Sequence, residues 1–244
     1  MRGPTLQREG PRVLRGTSLG VPPKKPRTYA YIDGFNLYYG CFRRPAPPSW
    51  AKYKWLDLEK FCDLLLPYND IVAVKYYTAD VSNRPPDNRQ NDREQVYLKA
   101  LLTLPRVEIV KGRFLGPKKR RMPQCDATGA ALGNKVWVLK TEEKGSDVNL
   151  AVDLLHDCII GCYECAVVVS NDSDLARSIR IVRYQYKKII GIVNPHNTHQ
   201  RMSGDLWKLK HFDRKISRKI LASSQLPEDV TVGQGTIRRP QGWT

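Results

Sequence analysis

The run Cys165-Ala-Val-Val-Val-Ser170 restricts the folds open to this chain more than any other stretch. It is apolar without alternation, so as a strand it must be covered on both faces, the situation of a strand inside a parallel sheet. Thr28-Tyr-Ala-Tyr-Ile-Asp33, Ile71–Thr78 and Lys188-Ile-Ile-Gly-Ile-Val193 read the same way, and Val107–Phe114 and Val136–Leu139 add further strands. Helical patterns fall between them at Leu56–Leu66, Asp92–Leu104, Asp147–Cys158 and Leu175–Tyr186. In the first, Leu58, Phe61, Leu64 and Leu65 share a face and Asp57 is placed to cap it. The third is nearly all apolar and is expected to be central and buried. Beyond Pro195 a short helix near Ser203, a strand near Leu206–Phe212 and a basic helical tail are expected. Strands alternating with helices predict an α/β fold, a mostly parallel sheet covered by helices.

At 244 residues and 41% hydrophobic content the chain suits one domain with tails. Residues 1–27 carry Pro, Gly and Arg without apolar periodicity and read as a disordered basic arm. The folded domain is expected over 28–222, with an irregular basic insert loop at 116–133 and a C-terminal tail at 223–244. No apolar run approaches the roughly 18–20 residues of a membrane span, and no signal-type core follows the N-terminal arginines. A cytoplasmic protein is the expectation. Cys158, Cys162 and Cys165 are closely spaced, but no second pair stands at zinc-finger distance, so buried free thiols are expected rather than a metal cluster.

The net charge of +17 is concentrated in three segments. Residues 1–27 hold seven Lys/Arg against Glu9; residues 111–121 hold six, including Lys118, Lys119, Arg120 and Arg121, with no acid; residues 208–219 hold six against Asp213. Together they account for the whole excess. Clustered excess of this kind is the electrostatic footprint of a nucleic-acid binder, and Tyr38, Tyr39, Trp50 and Trp55 are candidates for stacking on unpaired bases.

Against this basic background, Asp33, Asp147, Asp172 and Asp174 each end a strand-like run or open a helical one. In parallel sheets ligands bind outside the carboxyl ends of the strands, so these acids are expected to converge. Two carboxylates about 4 Å apart repel by around 4 kcal/mol at an effective dielectric of 20, so a cluster must hold protons or a cation. All-oxygen ligation selects Mg²⁺ or Mn²⁺. Asn36, Ser170 and Asn171 flank the acids as candidate contacts to a phosphate or a bound water. Asp153, six residues after Asp147, falls on another helix face and is assigned a buried or supporting role, and Asp157 is expected to face solvent.

Tyr31-Ile-Asp33-Gly-Phe-Asn36-Leu-Tyr, Glu143-Lys-Gly-Ser-Asp147-Val-Asn-Leu-Ala-Val-Asp153 and Val169-Ser-Asn-Asp172-Ser-Asp174-Leu together resemble the NYN domain of the LabA type, a branch of the PIN-like ribonuclease group. The resemblance spans about 28–215. It implies a Rossmann-like three-layer α/β/α sandwich and metal-dependent RNA cleavage in active members. Asp33, Asp147, Asp172 and Asp174 would then be the metal-holding catalytic acids and Asn36 a substrate or water contact. RNA is the expected partner, with no membrane, and self-association into a homo-oligomer is left open. Two other readings remain beside the nuclease: an RNA-binding or docking module without turnover, and a phosphatase or Toprim-type site built on Asp172 and Asp174.

Overall fold

The computed structural model describes residues 24–43, 50–80, 87–126, 128, 130–196 and 201–243, without side-chain detail at 114–120, 131 and 138–144. Most of the basic arm therefore lies outside the described residues. The central sheet has six strands: β1 (Arg27–Asp33), β2 (Asp70–Thr78), β3 (Val107–Lys111), β6 (Cys165–Val169), β7 (Ile189–Val193) and β8 (Phe212–Arg214). Their order is β3-β2-β1-β6-β7-β8, and every neighbouring pair is parallel. The chain runs outward from β1 to β3, then returns to the other side of β1 at β6. The junction of β1 and β6 is thus the point where strand order reverses, the crevice where open α/β sheets bind ligands.

Alternate strand residues feed two cores. Ala30, Ile32, Val167 and Val169 join Phe61, Leu65 and Leu101 from α2 (Leu58–Leu65) and α3 (Gln90–Leu101) on one face. Tyr31, Ala166, Val168 and Ile190 join Leu150 and Leu154 of α4 (Ser146–Ile159), Ile179 of α5 (Ala176–Tyr184) and Leu206 of α6 (Gly204–Leu209) on the other. The result is the expected three-layer α/β/α sandwich. Asp57 caps α2, accepting from the Lys60 N–H at 2.9 Å. The expected strand near 206–212 resolves into α6 followed by the short β8.

Four features depart from the sequence reading. The insert at 116–133 is no irregular loop. It belongs to a long antiparallel hairpin of β4 (Arg113–Cys125) and β5 (Ala131–Lys144), a sheet of its own between β3 and α4. Its register slips between Leu115 and Lys118 and between Pro123 and Cys125, next to the two prolines that a regular ladder excludes. The segment after 222 is not a loose tail: α7 (Arg218–Ser223) leads into a small hairpin, β9 (Asp229–Val232) and β10 (Gly235–Arg238). Trp243 then packs edge-on against Tyr97, with ring centroids 5.6 Å apart.

Helix α4 is not buried all round, for Val148 and Val152 stand 64% and 56% exposed one turn apart. Asp157 does not face solvent. It is 4% exposed and takes the Lys75 ammonium of β2 at 2.7 Å and the Tyr31 hydroxyl at 2.9 Å. Lys75 also lies 3.8 Å from Asp153, which accepts from the Tyr77 hydroxyl at 2.9 Å. Asp153 and Asp157, four apart on α4, share the inward face. Burial alone would pull Lys75 down, but Asp157, Asp153 and Glu108 hold it above its ordinary pKa. The pair lashes α4 to the sheet. All six cysteines are free thiols; Cys158 and Cys165 are buried, Cys162 is half-buried and Cys125 is exposed.

Candidate active site

Asp33 is the last residue of β1, opposite Tyr77 of β2. It is 2% exposed and caps α1 (Gly34–Leu37), its Oδ1 accepting from the Asn36 N–H at 2.9 Å. Its Oδ2 accepts from the Asn36 amide at 2.7 Å and the Ser170 hydroxyl at 2.9 Å. Gly34 permits this tight exit from the strand. A Cβ there would lie 2.7 Å from the Tyr77 carbonyl and 2.8 Å from the Tyr76 ring, contacts that no side chain tolerates.

Ser170 follows β6 and joins the two acids. Its hydroxyl donates to Asp33 and accepts from the Asp172 N–H at 3.1 Å. Asp172 in turn caps the short turn Ser173–Leu175, its Oδ1 accepting from the Asp174 N–H at 2.9 Å. Burial pushes the Asp33 carboxyl up, the three donors from Asn36 and Ser170 pull against it, and the Asp172 charge adds to the rise. A cation held by these acids would offset both the desolvation and the repulsion.

The four aspartates do not form one cage. Among the described residues no three His, Cys, Asp or Glu side chains stand together as metal ligands. Asp33 and Asp172 are coupled. Asp174 is exposed in the turn beyond them, and Asp147 is half-buried in the first turn of α4, after Gly145 at φ 97°. Asp153 belongs to the Lys75 network beneath α4. The donor set that remains, two carboxylates with Oδ1 of Asp33 holding a spare lone pair, fits Mg²⁺ or a similar ion. Such ions bind through one or two carboxylates and keep several waters.

The other expected contacts divide. Asn36 is central, for its carbonyl oxygen accepts from the Asn171 N–H at 3.3 Å and lies 3.2 Å from His196 Nε2. The Asn171 side chain is spent on the following loop: it donates to the Arg201 carbonyl at 3.2 Å and accepts from the Ser203 N–H at 2.8 Å. Lys118, Lys119 and Arg120 sit on β4 with side chains outside the described residues, while Arg121 is exposed, its guanidinium 5.9 Å from the centroid of the Trp137 ring. Trp55 is fully buried, its ring N–H donating to the Pro227 carbonyl at 2.7 Å, so it is a core residue and no stacking platform.

His196 and Asn194 escaped the sequence reading. Buried Asn194 follows β7, and its side chain accepts from the His196 N–H at 2.8 Å, which fixes the turn that brings the imidazole to Asn36. Their signal lay in position: β7 also ends at this edge of the sheet, beside β6.

The family model for the NYN domain matches residues 27–204, a span from β1 to the start of α6 that takes in the whole crevice. The chain belongs to the NYN family. Within this NYN chain the matched segment includes the β4–β5 hairpin and ends before α7 and the terminal hairpin. The 6-hydroxy-3-succinoylpyridine 3-monooxygenase HspA of Pseudomonas putida is 32% identical over 89% of this chain and 75% of its own length. A solved structure, a protein of unknown function from Vibrio parahaemolyticus, is 18% identical over 85% of this chain and 100% of its own, with a TM-score of 0.49. No helix among the described residues is long and apolar enough to cross a membrane.

Proposed function

We propose that this NYN domain hydrolyses RNA phosphodiester bonds with a divalent cation, Mg²⁺ or Mn²⁺, leaving 5′-phosphate and 3′-hydroxyl ends. The observation that carries the reading is the coupling of Asp33 to Asp172 through Ser170 at the crevice where strand order reverses. Asp33 and Asp172 are the residues that would hold the ion. Such an ion, held there, would supply activation of a water and stabilisation of phosphoryl charge. The chain's own residues do the rest. Asn36 and Ser170 lock the Asp33 carboxylate in one rotamer. The imidazole of His196, which lies 3.2 Å from the Asn36 carbonyl oxygen, would be the group that moves a proton at the leaving oxygen. Asp147 and Asp174 would add negative charge to the site, and the basic hairpin and the 208–219 segment would track the RNA backbone.

Cleavage of mixed RNAs by the purified chain tests this. Activity should stop with EDTA and return with Mn²⁺. Asp172→Asn should lower it on the order of 100-fold or more, the size of losing one essential charged group, with RNA affinity retained. If the wild type binds RNA and leaves it intact with either metal, a binding module without turnover takes the place of the nuclease.

A second reading rests on the kinship with the pyridine monooxygenase, which extends over most of both chains. Under it the domain inserts one oxygen atom of O₂ into a heteroaromatic ring and reduces the other to water with two electrons from a reductant. Hydroxylated product from a hydroxypyridine, O₂ and a reduced nicotinamide supports it; unchanged substrate and no oxygen uptake dismiss it.

A further inference from the structure

A cavity of about 110 Å³ has α1 in its wall through Gly34, Phe35 and Leu37. Its walls are aromatic: Phe35, Tyr38 and Tyr39 from α1 and the π-helical turn after it (Tyr38–Phe42), and Tyr76 from β2. Phe35 and Tyr39 lie stacked, 23° from coplanar with centroids 6.5 Å apart, and Tyr38 meets Tyr39 edge-on at 5.5 Å. The helix that carries Asn36 to the Asp33 carboxylate thus presents its neighbours on either side to this cavity.

The lining is not merely greasy. Glu94 of α3 stands in it, accepting from the Thr78 hydroxyl at 3.3 Å. Lys54 lies 5.4 Å from the Tyr38 ring centroid, and Arg93 is paired with Asp87 along the same wall. A π-surface faced by a carboxylate on one side and an ammonium on another suits a flat ring whose edge both donates and accepts hydrogen bonds. An enclosed cavity of about 150 Å³ holds a benzene; this one, about 110 Å³ and open on one side, admits a planar ring edge-first with part of it left at the mouth.

We infer that the cavity is a binding subsite for a planar, hydrogen-bonding heteroaromatic ring: a base of a single strand, or a free pyridine-type molecule. The ring sits between the aromatic residues of α1 and the polar edge of α3. The inference stands whether or not the crevice cleaves; only the base as source rests on the RNA reading.

Binding, measured without turnover in EDTA, tests it. Three probes are titrated into the full chain: an oligouridylate, the same oligomer with abasic sites, and 2-hydroxypyridine. If a base is the occupant, oligouridylate binds about tenfold more tightly than the abasic oligomer, the size of one stacking interaction. That advantage disappears in Tyr39→Ala, a substitution at an exposed ring that spares the core. Glu94→Gln, which keeps shape and removes the charge, should shift preference between uracil and cytosine in the same oligomer. If a free ring is the occupant, 2-hydroxypyridine binds and loses at least about tenfold in Tyr39→Ala, while the two oligomers bind alike. Equal binding of both oligomers together with no 2-hydroxypyridine binding overturns the subsite. So does ring binding that is unchanged in both Tyr39→Ala and Glu94→Gln. Loss of RNA cleavage plays no part in the readout, so a failed nuclease reading leaves this result interpretable.

Discussion

Asp33 is asked to be buried and ionised at once, and the two demands oppose each other. Its carboxyl is held above the ordinary value of 3.8, first by burial and then by the charge of Asp172. A carboxyl raised in the folded state favours the protonated fold. Its contribution is fully present below the unfolded pKa and is lost as pH rises through the folded one. The wild type should therefore lose stability relative to Asp33→Asn as pH climbs from about 4 towards neutrality, a difference read by thermal melts of both proteins across that range. The substitution itself is not benign, since an amide nitrogen at Oδ2 would face two donors, Asn36 and Ser170. The pH dependence of the difference, not its absolute size, is the test. A divalent cation that binds here should shrink the gap at neutral pH, because it stabilises the ionised form.

At the scale of elements, α4 is held from beneath. Lys75 and Asp157 are both nearly buried, so breaking the pair leaves a charge stranded in the core. Lys75→Met should cost about 3–5 kcal/mol, and Lys75→Met with Asp157→Leu should recover most of it, as measured by urea denaturation. Exit from β1 is equally constrained: Gly34→Ala drives a methyl into the Tyr77 carbonyl and should cost about 1–3 kcal/mol. What was legible in the sequence follows the same logic. β1 and β6 were readable because strands covered on both faces must be continuously apolar, and Asp33 and Asp172 were readable because they end those runs. Of the hairpin only Val136–Leu139, inside β5, was readable. β4 is exposed along its described stretch, carries two prolines and answers to no core, so it lacks any periodic signature. Asp157 was misjudged because an acid on an amphipathic helix reads as solvent-facing until its partner, far upstream in β2, is known. His196 was overlooked because its claim rests on a strand end and not on any spacing between histidines.

At the scale of the whole molecule, part of the net charge of +17 lies on the β4–β5 hairpin. The insert that carries part of it is a ribbon, with Met122, Leu132, Val136 and Trp137 bare beside Arg121. Exposed apolar and aromatic groups among cations suit a surface that grips single strands by backbone and base together. Replacing Lys118, Lys119, Arg120 and Arg121 by alanine should weaken RNA binding of every sequence. It should also flatten the dependence of log K on log salt by about 0.7 for each phosphate no longer neutralised. Filter binding at several salt concentrations reads both effects, and an unchanged slope would reduce the hairpin's basic side to a solubility device.

Trp243 has a practical consequence. Its indole rests on Tyr97 and Trp55 and forms part of the rim of the aromatic cavity, held there as Arg239 donates to the Lys52 and Trp243 carbonyls. A protein trimmed back past Pro240 loses that indole from the cavity wall and should not be expected to report faithfully on small-ring affinity.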